Sequence, residues 1–375
     1  MKYLREVCAI PTAPFLEGRV VEYVRRFVAR HRALRMSADR HGNLLIVLPG
    51  QQGSRGRWVF VAHMDHPGMH ARRMIGRNVV EAEFRGYVLA EYLAGAPVRF
   101  FDGKREIAGR VLRVTAVESN GRASLLLAKV RDEVPPASLG MLDFPEACER
   151  NGLFMSRACD DLAGVATCLA MLDRLCADPP RATIAVLLTR AEEGGLVGAM
   201  AAAVRPSLLR RTDRIISLEA SSVQPYAPLG GGPIIRVGDR LSIFNSALTC
   251  FLTEQAEALK TRRHGFRYQR ALMPGGVCEA TVFDAYGFQA AAMCLALGNY
   301  HNMDTTHRRA GAEYVNAADW RHLVDLCEAV ARNAHAYTGN HRNLRRQLES
   351  RYNRLKENLT LYPIPLPAGA CRRRV

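Results

Sequence analysis

The sequence predicts an α/β protein in three layers: a mostly parallel central sheet with helices on both faces, interrupted by an inserted small all-β domain. Three observations predict it. Trp58 to Ala62 (WVFVA) and Thr183 to Thr189 (TIAVLLT) are short unbroken apolar runs, the pattern of strands covered on both faces. Helical periodicity fills stretches between such runs, as in DLAGVATCLAMLDRLCA from Asp161 to Ala177. From about residue 75 to 154 the texture switches to short β segments, NVVEAEF, PVRFFDG, GRVLRVTAV and ASLLLAKV, divided by Gly, Asn and charged turns.

In chain order, Tyr3 to about Ala33 reads as an amphipathic helix broken by the turn Pro11-Thr12-Ala13-Pro14. DRHGNLLIVLPG, Asp39 to Gly50, reads as a turn and a strand. After the β-rich segment the α/β pattern resumes: the helix from Asp161, the strand at Thr183, a helix at LVGAMAAAV and a strand at RIISLEA, Arg214 to Ala220. AAAMCLALG, Ala290 to Gly298, reads as a further strand. Ala317 to Tyr337 and Asn340 to Leu359 read as helices, and PIPLPAGACRRRV as a surface tail.

At 375 residues and 48% hydrophobic, the chain can bury a large core, which excludes global disorder. The first residues mix charge through their apolar positions, unlike a signal peptide, and no run approaches a membrane span. The ten cysteines include no CxxC pair, and Cys159, Cys168, Cys176 and Cys294 sit in apolar or helical patterns as small buried thiols do. The expectation is a soluble cytoplasmic protein with no membrane partner. The net charge of +16 is spread along the chain, and no basic run alternates with aromatics, which argues against a nucleic-acid partner. Its tightest clusters are Arg262-Arg263-His264 and Arg372-Arg373-Arg374.

Chemistry is expected where the strands stop. The strand at Trp58 runs into His63, Met64, Asp65 and His66. Burying ionisable groups at the end of such a strand costs several kcal/mol, roughly, unless a partner compensates. The carboxyl ends of strands in open α/β sheets are also where ligands bind. Asp160 and Asp161 precede a helix, Glu192 and Glu193 follow the strand at Thr183, Glu219 closes RIISL, and His301 follows AMCLALGNY. Two imidazoles and three carboxylates suit a pair of divalent metals, zinc most simply, with cobalt or manganese as alternatives. Taken singly each motif has a plainer reading: HxD as a satisfied pair, DD as a helix cap, EEGG as a solvated helix start. Their shared order and strand-end placement give them weight together.

That order, HxD, inserted β segment, DD, EE, a further acid and a late His, resembles the glutamyl and deblocking aminopeptidase family of dinuclear metallo-aminopeptidases. AHMDHPG is similar to that family's AHMDEIG, ACDDLAG to ALDDRAG, TRAEEGGLVGA to VQEEVGLRGA, SLEAS to AVDVT and GNYHN to RYIHS. The likeness runs from Tyr3 to about Asn333. It implies that His63 and Glu219 hold one metal, Glu193 and His301 the other, and that Asp160 bridges. It implies Glu192 as general base and Asp65 as the residue that fixes the His63 ring. The Asp160-Asp161 peptide is then expected to be cis. Residues 1–68 and 155–340 would form the metallopeptidase domain, 69–154 a lid or dimerisation domain, and 341–375 a C-terminal helix and tail.

Three positions depart from the family pattern. His66 stands where a Glu is usual, Glu219 where an Asp is, and MPGGVCEA, Met273 to Ala280, where GGTDA is. His307, His31, His41, His70 and His264 are expected at the surface. The reading implied first is an aminopeptidase acting on peptides, assembled as a homo-oligomer. A deacylase of N-acyl amino acids and a non-catalytic binding protein on the same scaffold stand as alternatives.

Overall fold

The computed structural model describes residues 1–51, 56–145 and 147–362. Helices α1 (Lys2–Cys8) and α2 (Gly18–Ala29) come first, then β1 (Arg35–Ala38), β2 (Leu44–Leu48) and β3 (Trp58–His63). Six strands follow: β4 (Gly68–Gly76), β5 (Val79–Arg85), β6 (Pro97–Asp102), β7 (Arg105–Val117), β8 (Ala123–Val130) and β9 (Leu139–Leu142). The chain re-enters the main sheet through β10 (Cys148–Arg150) and β11 (Leu153–Ser156). It continues through α3 (Leu162–Ala177), β12 (Ile184–Thr189), α4 (Val197–Val204) and β13 (Arg214–Ser222). Then come β14 (Ile234–Gly238), α5 (Ser246–Arg262), β15 (Gln269–Leu272), α6 (Glu279–Ala285) and β16 (Gln289–Gly298). The small pair β17 (Met303–Asp304) and β18 (Arg309–Ala310), β19 (Glu313–Asn316) and α7 (Ala317–Asn333) complete this unit.

The parallel heart of the sheet is β12-β3-β13-β16, flanked by antiparallel β1-β2 on one side and β19-β11-β10 on the other. Every residue of β3 is buried, as the apolar run Trp58 to Ala62 between two helix layers demands. Val59 and Val61 point into a core shared with Ala199 and Ala203 of α4 and Phe283 of α6. Alternation sends Trp58 to the opposite face, where its ring meets Phe251 of α5.

Strands β4 to β9 close into a six-stranded barrel in the order β4-β5-β8-β7-β6-β9. Their alternating pattern fills it with Val80, Ala82, Phe84, Val98, Phe100 and Leu126. The barrel belongs to the same compact unit, Met1–Ala336, as the sheet, so the predicted insertion is present as a barrel without being delimited as a separate domain.

The N-terminal segment forms two helices where one interrupted helix is predicted, the break falling over Pro11 to Pro14. Arg35–Ala38, unremarked in the sequence, pairs with β2 at the sheet edge. The C-terminal unit, Tyr337–Val375, contains α8 (Arg342–Leu355) and the short α9 (Asn358–Leu361) among its described residues. The predicted tail and the Arg372-Arg373-Arg374 cluster lie outside the described residues. Among those described, no helix is long and apolar enough to cross a membrane.

Candidate metal centre

Parallel β12, β3, β13 and β16 deliver their carboxyl ends to one edge of the sheet, and the side chains expected from the sequence meet there. His63 is the last residue of β3, Glu192 and Glu193 follow β12, and Asp160 sits in the turn before α3. His301 follows β16 in a turn where Asn299, His301 and Asn302 all adopt positive φ. Glu219 differs from expectation in one respect: it lies within β13, not at its end.

Asp160 stands at the centre. Its Oδ1 is 3.4 Å from His63 Nε2 and its Oδ2 is 3.5 Å from His301 Nε2. His63 Nε2 is also 3.8 Å from Glu219 Oε2 and 3.9 Å from Glu192 Oε2, and His301 Nε2 is 2.8 Å from Glu193 Oε1. Three groups of potential ligands emerge: His63-Asp160-Glu219, Asp160-Glu193-His301 and His63-Glu192-Glu193. The first two share Asp160.

The DD pair divides its two readings between its members. Asp161 caps α3 by accepting from the Gly164 amide at 3.1 Å, and that leaves Asp160 for the centre. The cap is tight: a Cβ on Gly164 would lie 2.2 Å from Asp161 Oδ2. The Asp160-Asp161 peptide is cis.

Backbone carbonyls set the histidine tautomers. The Tyr87 carbonyl accepts from His301 Nδ1 at 2.7 Å, and the Asp65 carbonyl from His63 Nδ1 at 3.1 Å. A carbonyl can only accept, so each Nδ1 carries the hydrogen and each Nε2 faces the carboxylates. Tyr87 lies just beyond β5, so the barrel segment contributes to the site.

Two further carboxylates hold the backbone of these residues. Asp65 accepts from the amides of Glu192 and Glu193, both at 3.0 Å, while its Oδ1 lies 3.4 Å from His63 Nδ1. Its carboxylate therefore fixes the EE turn, whereas its own carbonyl carries the shorter contact to the His63 ring. Glu313, fully buried, accepts from the amides of Cys159 (2.7 Å), Asp160 (3.1 Å) and His301 (2.8 Å). His66, the departure after HxD, is buried beside it. Its ring bridges the Asp160 carbonyl at 2.6 Å and Asn302 Oδ1 at 3.0 Å.

So much buried negative charge is costly without cations. Burial and neighbouring carboxylates push Glu192 well above the usual carboxylate range, against the pull of His63. Burial pushes Glu219 up to about 8, again opposed by His63. Burial would raise Asp160 too, but the His301 and His63 imidazoles beside it outweigh that and hold the carboxyl well below its ordinary range. Both histidines are raised well above theirs despite burial: His63 by the carboxylates of Asp160 and Asp65 facing its ring nitrogens, His301 chiefly by the Glu193 charge. Asp160 Oδ1 and Glu219 Oε1 remain buried without a hydrogen-bond partner. Orphaned oxygens beside imidazole nitrogens are the donor set that borderline divalent ions accept.

The centre opens into a cavity of about 210 Å³ lined by Glu192, Glu193, Arg236, Gly276, Val277 and Tyr300. Arg236, on β14, is 3% exposed; its Nη1 donates to Ser221 Oγ at 3.1 Å and its Nε has no hydrogen-bond partner. No ion pair to Arg236 occurs among the described residues. The sequence reading missed it, although an arginine inside the apolar run PIIRVG was a visible signal. It missed Glu313 as well, for which no local motif existed. His41, His264 and His307 are exposed as expected. His31 and His70 are half-buried instead, the first against Phe27 and Asp173 and the second on the Pro14 carbonyl. None of the five joins the cluster.

Solved structures share this fold. The Pyrococcus horikoshii TET1 peptidase shares 21% identity at a TM-score of 0.72, over 88% of this chain and 98% of its own. An aminopeptidase from the archaeon Desulfurococcus kamchatkensis gives 21% and 0.72 over 88% and 94%. A TET aminopeptidase from a marine-sediment Thaumarchaeota archaeon gives 16% and 0.73 over 88% and 96%. At these identities the likeness establishes the fold. No curated protein sequence matches the chain. The sequence profile of M42 glutamyl aminopeptidases matches residues 129–317, half of the chain and the stretch that supplies Asp160, Glu192, Glu193, Glu219 and His301. On that match the chain belongs to the M42 glutamyl aminopeptidase family and is a metal-dependent aminopeptidase.

Proposed function

We propose that this aminopeptidase works with two divalent cations, zinc first with cobalt or manganese as alternatives, and removes acidic residues from the N-termini of peptides. His63 and Glu219 would hold one ion, Glu193 and His301 the other, with Asp160 between them. The observation that carries the reading is the division of Asp160, one oxygen toward each histidine. Bound there, the ions would acidify a water, polarise the scissile carbonyl and leave room for the substrate's free amine.

The chain's own residues do the rest. Glu192 lies beside His63 Nε2 with its amide held by Asp65, at the wall of the cavity. Its carboxylate takes the proton of the attacking water and delivers it to the leaving nitrogen. Arg236 faces the same cavity with donor capacity to spare, and a substrate carboxylate would complete it. The family's glutamyl description agrees with that pairing. Residues 1–68 and 155–340 serve as the catalytic domain, 69–154 as a lid or dimer contact, and the enzyme works as a cytoplasmic homo-oligomer. The TET1 peptidase itself assembles into a tetrahedron or a large octahedral shell.

The test is a titration of metal-free protein with Zn²⁺, Co²⁺ and Mn²⁺, followed by digestion of a peptide library. Two ions per chain and release of N-terminal Glu or Asp are expected. A single ion per chain would end the two-metal reading. Release of acyl groups from N-acyl amino acids, with free-amine peptides untouched, would end the aminopeptidase one.

A further inference from the structure

Helix α8 is built for a surface that the enzyme's chemistry does not use. Leu344, Leu348, Tyr352 and Leu355 recur at helical spacing and fall within an arc of about 80°. None of them is buried: they are 40%, 54%, 60% and 47% exposed. A helix of about four turns with no buried face is marginal in water, so its stability depends on something covering that stripe.

The charge around the stripe says what. The helix carries five arginines against one glutamate. Arg351 borders the stripe on one side and Arg345 on the other, while Arg342, Arg346 and Arg354 occupy the far face. Arginines at the margins can lay their stems along an apolar surface and keep their heads in an anionic layer. A second copy of the helix packed on this stripe would bring like charges together. Nucleic acid would meet the arginines but leave the leucines uncovered. Lipid headgroups over acyl chains satisfy both.

We propose that α8 lies in the plane of an anionic phospholipid surface, its Leu344-Leu348-Tyr352-Leu355 stripe in the acyl boundary and its arginines among the headgroups. This attaches the enzyme to a membrane face without spanning it. The proposal is independent of the metal centre and of the substrate.

Co-sedimentation of the full chain with vesicles tests it. Vesicles of phosphatidylcholine with about one-third phosphatidylglycerol should carry the protein down, and pure phosphatidylcholine should bind about tenfold less. The double variant Leu348→Glu/Leu355→Glu should lose about tenfold in vesicle binding while keeping wild-type aminopeptidase activity, which shows that it folds. Raising the salt to about 0.5 M should weaken wild-type binding, because the arginine contribution is screened. Absence of binding to the anionic vesicles, or equal binding by the double variant, overturns the proposal. So does a drop in native mass of the double variant with unchanged vesicle binding, which would assign the stripe to contact between copies. Preference for an acidic protein over the vesicles would overturn it equally.

Discussion

Glu313 accepts the backbone amide of His301 through Oε1 at 2.8 Å, and with Oε2 it accepts those of Cys159 and Asp160. One buried carboxylate thereby sets the main chain of two prospective ligands whose segments lie far apart in sequence, while Asp65 does the same for Glu192 and Glu193. His301 needs the help, since its φ of 53° is one that non-glycine residues rarely adopt. Glu313→Gln keeps the shape but places an NH₂ donor against backbone donors. Metal affinity should fall about 10–100-fold, the usual effect of losing a partner that orients ligands. Equilibrium dialysis against Zn²⁺ measures it, and saturating metal should restore most of the activity if the role is positioning.

Adjacent Glu192 and Glu193 should fail in different ways. Glu193 Oε1 is 2.8 Å from His301 Nε2, whereas Glu192 approaches no closer than 3.9 Å to His63 Nε2. Glu192→Gln should retain both ions and lose about 10²–10⁴-fold in kcat. Glu193→Gln should lose one ion first. Metal stoichiometry measured beside kcat separates them, and the reverse pattern would exchange the two roles.

How much of this could be read from the chain follows from the range of each interaction. The parallel strands were legible because burial on both faces demands continuous apolar runs, as in β3 and β12. His63, Asp160, Glu193, Glu219 and His301 stood out because an ionisable group beside a buried strand is conspicuous in one dimension. Glu313 was not conspicuous. It sits at the start of β19 with no motif around it, and its amide partners lie 12, 153 and 154 residues away. Arg236 was legible as an arginine in an apolar strand, but the cavity it lines is made by strands and loops far apart in the sequence. The closure of six short strands into a barrel was equally hidden, because β patterning gives strands and not their pairing.

Arg236 makes a prediction about substrate. Its buried guanidinium has one side-chain hydrogen bond, to Ser221, and no ion pair among the described residues. Glu219 and Asp239 already attract this cation from beyond ion-pair distance, and a substrate carboxylate would give it a direct partner. Arg236→Met should reduce kcat/KM for N-terminal Glu substrates by about 10–100-fold, the worth of a charged hydrogen bond. N-terminal Leu substrates should be hydrolysed as well as before or better. Parallel assays on Glu- and Leu-p-nitroanilide read the ratio, and an equal loss on both would make Arg236 a structural residue only.

Glu279 offers a test by stability. It begins α6, is fully buried, and neither of its carboxyl oxygens meets hydrogen-bond geometry with a partner. Burial pushes it up to about 7, against the pull of His63 and the Thr189 hydroxyl. Between its unfolded value near 4.5 and that folded value, the native state binds a proton that the unfolded chain has released. Metal-free protein should therefore lose stability as pH rises from about 4.5 to 7, by about 3 kcal/mol, and gain no more penalty beyond. Glu279→Gln removes the ionisation while keeping the volume. Its unfolding free energy, measured in urea with metal removed, should exceed that of the parent at pH 8 by about 2–3 kcal/mol and match it near pH 4.5. A parent-to-variant difference that stays constant across this pH range would mean that Glu279 is ionised in the folded protein and held by a partner.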